Sequence, residues 1–244
     1  MIEALGLAKH FGTVRAVEDV SFTAADGRIT GLLGPNGAGK STTLRILYTI
    51  LAADRGEARV DGEAVSRDSI TVRARLGVLP HNAGLYGSLT ARENIDYFGR
   101  LQGLTRSSAR ARATTLIALL EMGEIERRRA RGFSQGQKLK TALARALVHE
   151  PRNLILDEPT NGLDVPSVRT LRTLLRSLRD SGHCILFSSH VMHEVAALCD
   201  EVVVISRGRV VGSGSPESLR ASTGAADLEQ AFVALTGDET AGTR

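Results

Sequence analysis

Residues 34–42 read Gly34-Pro35-Asn36-Gly37-Ala38-Gly39-Lys40-Ser41-Thr42, which is G-x-x-x-x-G-K-S followed by a threonine. That spacing is a phosphate-binding loop. Glycines without a Cβ let backbone N–H groups turn inward around phosphate oxygens. Lys40 adds a point charge beside the β- and γ-phosphates, and the Ser41 hydroxyl is the expected Mg²⁺ ligand. The start of the following helix contributes about half a positive charge.

A glycine-rich surface turn could carry the same letters, so the flanks decide. Arg28-Ile29-Thr30-Gly31-Leu32-Leu33 reads as a short buried strand, and Leu44, Ile46, Leu47, Ile50 and Leu51 give the next segment a broad apolar helical face. Strand, loop and helix are the context the motif requires.

Further along, Leu154-Ile155-Leu156-Asp157-Glu158 is an apolar strand ending in two acids. Asp157 is the expected partner carboxylate for Mg²⁺. Glu158, one residue past the strand end, is placed to orient or deprotonate an attacking water. Phe133-Ser134-Gln135-Gly136-Gln137 opens another helix, with Ser134 as N-cap and a second anion site at its free N–H groups. His190 follows Phe187-Ser188-Ser189 at a strand end. Ligands of doubly wound sheets gather at such ends, which puts His190 on the rim of Lys40, Asp157 and Glu158.

The rest of the chain is built around these points. Short strands, among them Val20-Ser21-Phe22-Thr23 and Glu57-Ala58-Arg59-Val60, dominate up to about residue 65; Leu76-Gly77-Val78-Leu79 is another, ended by Pro80. Thr90-Ala91-Arg92-Glu93 is a capping box that opens a helical stretch, and Thr105 or Ser107 caps its second helix. From residue 134 helices at 135–149, 166–180 and 191–199 alternate with strands at 153–157, 183–188 and 201–205. Alternation of that kind means βαβ units and a largely parallel sheet.

Composition sets the outer bounds. The chain has 244 residues, 42% of them hydrophobic and 24% charged, which suits one large α/β domain or two closely joined lobes. No run approaches the 18 apolar residues of a transmembrane helix, and Met1-Ile2-Glu3-Ala4 does not open a signal peptide, so a cytosolic location is expected. Cys184 and Cys199 lack metal-ligand spacing and read as small buried hydrophobes. The net charge is +4, and 27 of the 31 basic residues are arginine, densest at Arg127-Arg128-Arg129-Ala130-Arg131. Three Tyr, six Phe and no Trp leave few platforms for stacking bases, so no nucleic-acid partner is expected.

Taken in this order, the motifs resemble those of the ATP-binding subunit of an ABC transporter, over roughly residues 1–215. Gly34 to Thr42 matches Walker A, and Leu154 to Glu158 matches Walker B with its adjacent catalytic glutamate. Phe133 to Gln137 is similar to the signature LSGGQ, Asn161-Gly162-Leu163-Asp164 to the D-loop, and His190 to the switch histidine. The resemblance implies that Phe11 stacks on adenine, that Val17 joins the nucleotide contacts, and that Ser134, Gln135, Gly136, Gln137 and Asp164 act on ATP.

It also implies an α/β P-loop ATPase fold: a mixed-sheet core with an antiparallel β subdomain (about 1–89 and 150–215) and an inserted helical lobe (about 90–149). A helical tail (about 215–237) completes a single domain, with 238–244 disordered. Two copies would pack head to tail around two ATP molecules as a homodimer or pseudo-homodimer. An integral membrane permease, contacted around Asn82 to Ser88, would hold the chain on the cytoplasmic side of the membrane.

Two positions depart from the pattern: His81 stands where the family carries Gln, and Gln135 where the signature carries its first glycine. Imidazole is a poor Mg²⁺ ligand, so the metal role is not carried onto His81. The FSQG spelling with LDEPTNGLD is most similar to ATPases of sodium-efflux and related drug or polysaccharide exporters. A soluble ABC-type ATPase acting on nucleic acid or ribosomes is the alternative; such relatives show tandem cassettes, zinc cysteines or a coiled-coil insertion. A small-molecule kinase would need neither signature nor switch histidine.

Overall fold

The computed structural model describes residues 1–82 and 84–237; the reading of 238–244 as disordered falls outside them. The phosphate loop lies between β3 (Ile29–Leu33), buried along its whole length, and α1 (Lys40–Leu47). On one side of β3 run β8 (Cys184–Ser189), β7 (Asn153–Asp157) and β6 (Leu76–Leu79), all parallel to it; on the other side β9 (Glu201–Ser206) is parallel too. Continuous apolar runs such as Leu154-Ile155-Leu156 belong in a sheet covered on both faces.

β10 (Arg209–Gly214) returns antiparallel to β9 and meets β2 (Val14–Ala24) through a single parallel bridge. β2 pairs antiparallel with β1 (Ile2–Phe11), which pairs with β4 (Arg55–Val60) and, through it, β5 (Glu63–Ala64). The sheet order among the described residues is β5-β4-β1-β2-β10-β9-β3-β8-β7-β6. It is mixed, a parallel half joined to an antiparallel wing. Leu44 and Leu47 of α1 are buried between the two, against Ile2, Leu7, Val20, Ile155 and Ile205.

Three helices form a lobe beside the parallel half: α3 (Ala91–Leu101), α4 (Arg106–Leu119) and α5 (Gln135–Leu147), with the six-residue α2 (Ile70–Arg75) leading into β6. The capping box at Thr90 is present, Thr105 rather than Ser107 caps α4, and Ser134 caps α5 with Gln137 closing a second box. Ile95, Leu116, Ile117, Leu143 and Leu147 of the lobe share one core with Leu154, Leu156 and Phe187 of the sheet. α6 (Val165–Asp180) and α7 (Met192–Leu198) cover that same side, followed by α8 (Pro216–Thr223) and α9 (Leu228–Thr236).

Both cysteines are buried and free. Burial pushes the Cys184 thiol up to about 12 and the Cys199 thiol higher still, so both stay protonated. Among the described residues no helix is long and apolar enough to cross a membrane.

Candidate nucleotide site

The loop takes its shape from two glycines. A Cβ at Gly34 would stand 2.3 Å from the Ile205 carbonyl oxygen, and one at Gly39, where φ is +107°, would stand 2.5 Å from the Ala16 carbonyl oxygen. Gly39 is also the N-cap of α1 and offers no side-chain cap, so the first-turn N–H groups stay available to an anion. Pro35, Asn36, Gly37, Ala38, Gly39, Lys40, Ser41 and Thr42 line a cavity of about 760 Å³.

Lys40 is 6% exposed. Its Nζ donates to the carbonyls of Gly34 (2.6 Å) and Pro35 (3.2 Å) and lies 3.7 Å from Glu158 Oε1. Burial pushes its ammonium below the usual lysine value, opposed by the charges of Glu158 and Asp157. The lysine is thus folded back into the loop.

Asp157 ends β7 opposite Ser188 of β8. Its Oδ1 accepts from Ser188 Oγ at 2.6 Å and from Ser41 Oγ at 3.1 Å. Its Oδ2 is buried without a partner among the described residues. A hydroxyl and a free carboxylate oxygen side by side fit a hard divalent cation such as Mg²⁺.

Glu158 adopts φ +52°, a left-handed conformation uncommon for a residue with a side chain. The break turns its carboxylate away from the strand line: Oε2 lies 2.7 Å from His190 Nδ1 and Oε1 faces Lys40. The Glu158 N–H donates to Ser188 Oγ at 3.0 Å. One serine hydroxyl therefore braces both acids, a residue the motif reading passed over. Its signal is nonlocal, a small polar side chain whose strand register places it across from Asp157.

Phe11, 46% exposed at the end of β1, lines the same cavity with Val14, Arg15, Ala16, Arg45, His81, Asn161 and His190. Val17 does not: it is fully buried in the core beneath Gly39 and has no surface for a ligand. That corrects its expected nucleotide contact. Alternation along β2 puts Ala16 at the rim and turns Val17 inward.

The Ser134 side chain accepts from the Gln137 N–H and the Asp164 side chain from the Ser167 N–H, each capping its own helix. Ser134, Gly136, Gln137 and Asp164 do not line the nucleotide cavity, and Gln135 lines only the neighbouring cleft with Glu158 and Asn161. One chain brings together the Walker residues, Phe11 and His190 around the nucleotide cavity, and of the signature only Gln135 reaches the adjoining cleft.

Residues 17–161 match the family described as ABC transporter. The ABC transporter ATP-binding protein NatA of Bacillus subtilis is 44% identical over 221 residues, covering 90% of each chain. The Nod factor export ATP-binding protein I of Paraburkholderia xenovorans is 40% identical over 231 residues, covering 95% of this chain and 76% of that one. A solved structure of the ATP-binding subunit of an ABC transporter superposes with a TM-score of 0.88 at 28% identity, over 96% of this chain and 99% of the other. Family match, relatives and site geometry lead to one conclusion: the chain belongs to the ABC transporter family, as an ATP-binding and ATP-hydrolysing subunit.

Proposed function

We propose that two copies of this chain clamp two Mg·ATP molecules head to tail, and that hydrolysis releases the clamp to drive a separate membrane permease in export. The observation that carries the reading is the convergence of Lys40, Ser41, Asp157, Glu158 and His190 on one rim, with Ser134 to Gln137 left off it. A site missing its signature is completed by a second chain. Export is supported by the FSQG and LDEPTNGLD spelling and by the export function named for the Paraburkholderia relative.

The residues have distinct tasks. Backbone N–H groups of the loop and Lys40 Nζ hold the β- and γ-phosphates once ATP draws the lysine out of its carbonyl contacts. Ser41 Oγ and Asp157 Oδ2 would hold Mg²⁺, which supplies charge neutralisation at the phosphates. Glu158 takes a proton from the attacking water; the bond from Pγ to the bridging oxygen breaks, and its electron pair stays with ADP. His190 fixes the carboxylate at Oε2. Phe11 offers a ring face to adenine. Closure depends on ATP because only ATP carries the γ-phosphate that both halves grip.

The test is a mixed dimer of Ser134→Arg and Lys40→Ala subunits. Each homodimer has two damaged sites, whereas a mixed head-to-tail dimer regains one intact site. ATPase activity well above both homodimers supports the reading; activity no higher than either overturns it.

A further inference from the structure

Beside the nucleotide cavity lies a second one, of about 430 Å³, between the sheet and the helical lobe. The two share His81, Glu158 and Asn161 in their linings, and Asp157 faces the second. The hydrolytic carboxylate therefore stands at the boundary between a cavity shaped for ATP and a cleft that Asn82, Gly84, Leu85 and Gly87 of the expected permease-contact segment also line.

The cleft is polarised. Asp157, at the end of β7, and Glu158 line it from the sheet side. Arg131, from the 3-10 turn Ala130–Gly132, and Lys138, in the second turn of α5, line it from the helical lobe. Neither cation has a side-chain hydrogen bond or ion pair among the described residues. Elsewhere Lys9 pairs with Asp54, Arg92 with Glu126 and Arg209 with Glu18. The Arg131 N–H donates to the Gly87 carbonyl at 3.1 Å, which fixes the arginine's backbone to the cleft wall.

After cleavage ADP remains on the loop and fills the way in. Inorganic phosphate is formed on the Glu158 side, next to two carboxylates that repel it. Glu158 already faces Lys40 and His190, so neither group is free to follow the product. We propose that this cleft is the product-phosphate site: inorganic phosphate leaves past His81 and Asn161 and is received by Arg131 and Lys138. The proposal rests on the ATP-hydrolysis reading and adds a second anion site to it. Carboxylates on the sheet side and cations on the lobe side would favour movement of an anion toward the lobe. Because one wall belongs to the sheet and the other to the helical lobe, lobe movement would set the width of the exit.

The experiment measures cleavage by rapid quench and free phosphate by a fluorescent phosphate reporter, in one single-turnover reaction with Mg·ATP. In the parent, release follows cleavage closely. In Arg131→Gln/Lys138→Gln the ratio of release rate to cleavage rate should fall about ten-fold, and Arg131→Lys/Lys138→Arg should restore it. Product inhibition by inorganic phosphate, with ADP present, reads the same site at equilibrium, and in Lys138→Gln alone the inhibition constant should rise several-fold. An unchanged ratio in the double variant, or an unchanged inhibition constant, overturns the proposal. A parent that cleaves no ATP would instead overturn the hydrolysis reading.

Discussion

His190 Nδ1 lies 2.7 Å from Glu158 Oε2, while Glu158 Oε1 faces Lys40 Nζ at 3.7 Å. A carboxylate only accepts, so Nδ1 carries the proton. The imidazole and the loop lysine thus hold the carboxylate from its two sides, in a residue whose own backbone is strained at φ +52°.

From this arrangement Glu158→Gln should keep ATP affinity and lose turnover. The amide preserves shape and accepts no proton, and general-base assistance is worth about 10²–10⁴ in rate. Nucleotide titration and an ATPase assay on the same preparation check it, and gel filtration with ATP should show dimer accumulating. Turnover near the parent's would remove Glu158 from the role of base.

A second tie runs parallel to the first. Thr160 Oγ1, two residues past Glu158, donates to Glu194 Oε2 on the first turn of α7, four residues past His190. Glu194 is 8% exposed, so Thr160→Val leaves a buried carboxylate short of a donor, at a cost of about 1–3 kcal/mol. Turnover should fall with little change in the KM for ATP, because the loop itself is untouched. A double-mutant cycle with Glu194→Gln should show strong non-additivity in urea unfolding. Additive effects would mean that the pair is not coupled.

The loop, the acid pair and the caps at Thr90 and Ser134 were legible because each is a local pattern with a local cause. The hairpin of β9 and β10 was not: its turn is Arg207-Gly208, at φ +49° and +75°, and arginine is a rare choice there. α2 was missed because six residues are too few for a helical period to show. The apolar spacing after the loop predicts a helix through Leu51, yet α1 stops at Leu47; Thr49 takes φ +68° and Ile50 is 59% exposed. Ser188, Arg15 and Arg45 join the site through strand register and packing, which no spacing in the sequence records.

The loop's geometry leaves little tolerance at Gly39. With φ at +107° and a Cβ only 2.5 Å from the Ala16 oxygen, Gly39→Ala must shift either the loop or β2. Strain of this kind costs about 1–3 kcal/mol. Nucleotide affinity should fall at least about ten-fold, which corresponds to 1.4 kcal/mol or more. Titration with ATP checks this, and unchanged affinity would show that the loop can take a side chain without moving.

The antiparallel wing gives a pH-dependent contribution with a definite sign. Asp54 accepts from Lys9 Nζ at 2.6 Å and from the His10 N–H at 2.7 Å, and its own N–H donates to the Ala8 carbonyl, joining β1 to the start of β4. Lys9, and after it the His10 N–H, hold the Asp54 carboxyl below its ordinary 3.8. A carboxyl depressed in the folded state stabilises fully above its unfolded value, and that contribution is lost as pH falls through the folded value. Asp54→Asn should therefore lower the urea midpoint at pH 7 and lower it less as pH drops below about 4. The carboxylate is solvent-exposed, so salt should shrink the difference at pH 7. A gap between the two proteins that stays constant from pH 7 to pH 3 would mean that Asp54 acts by packing or hydrogen-bond geometry, not by its charge.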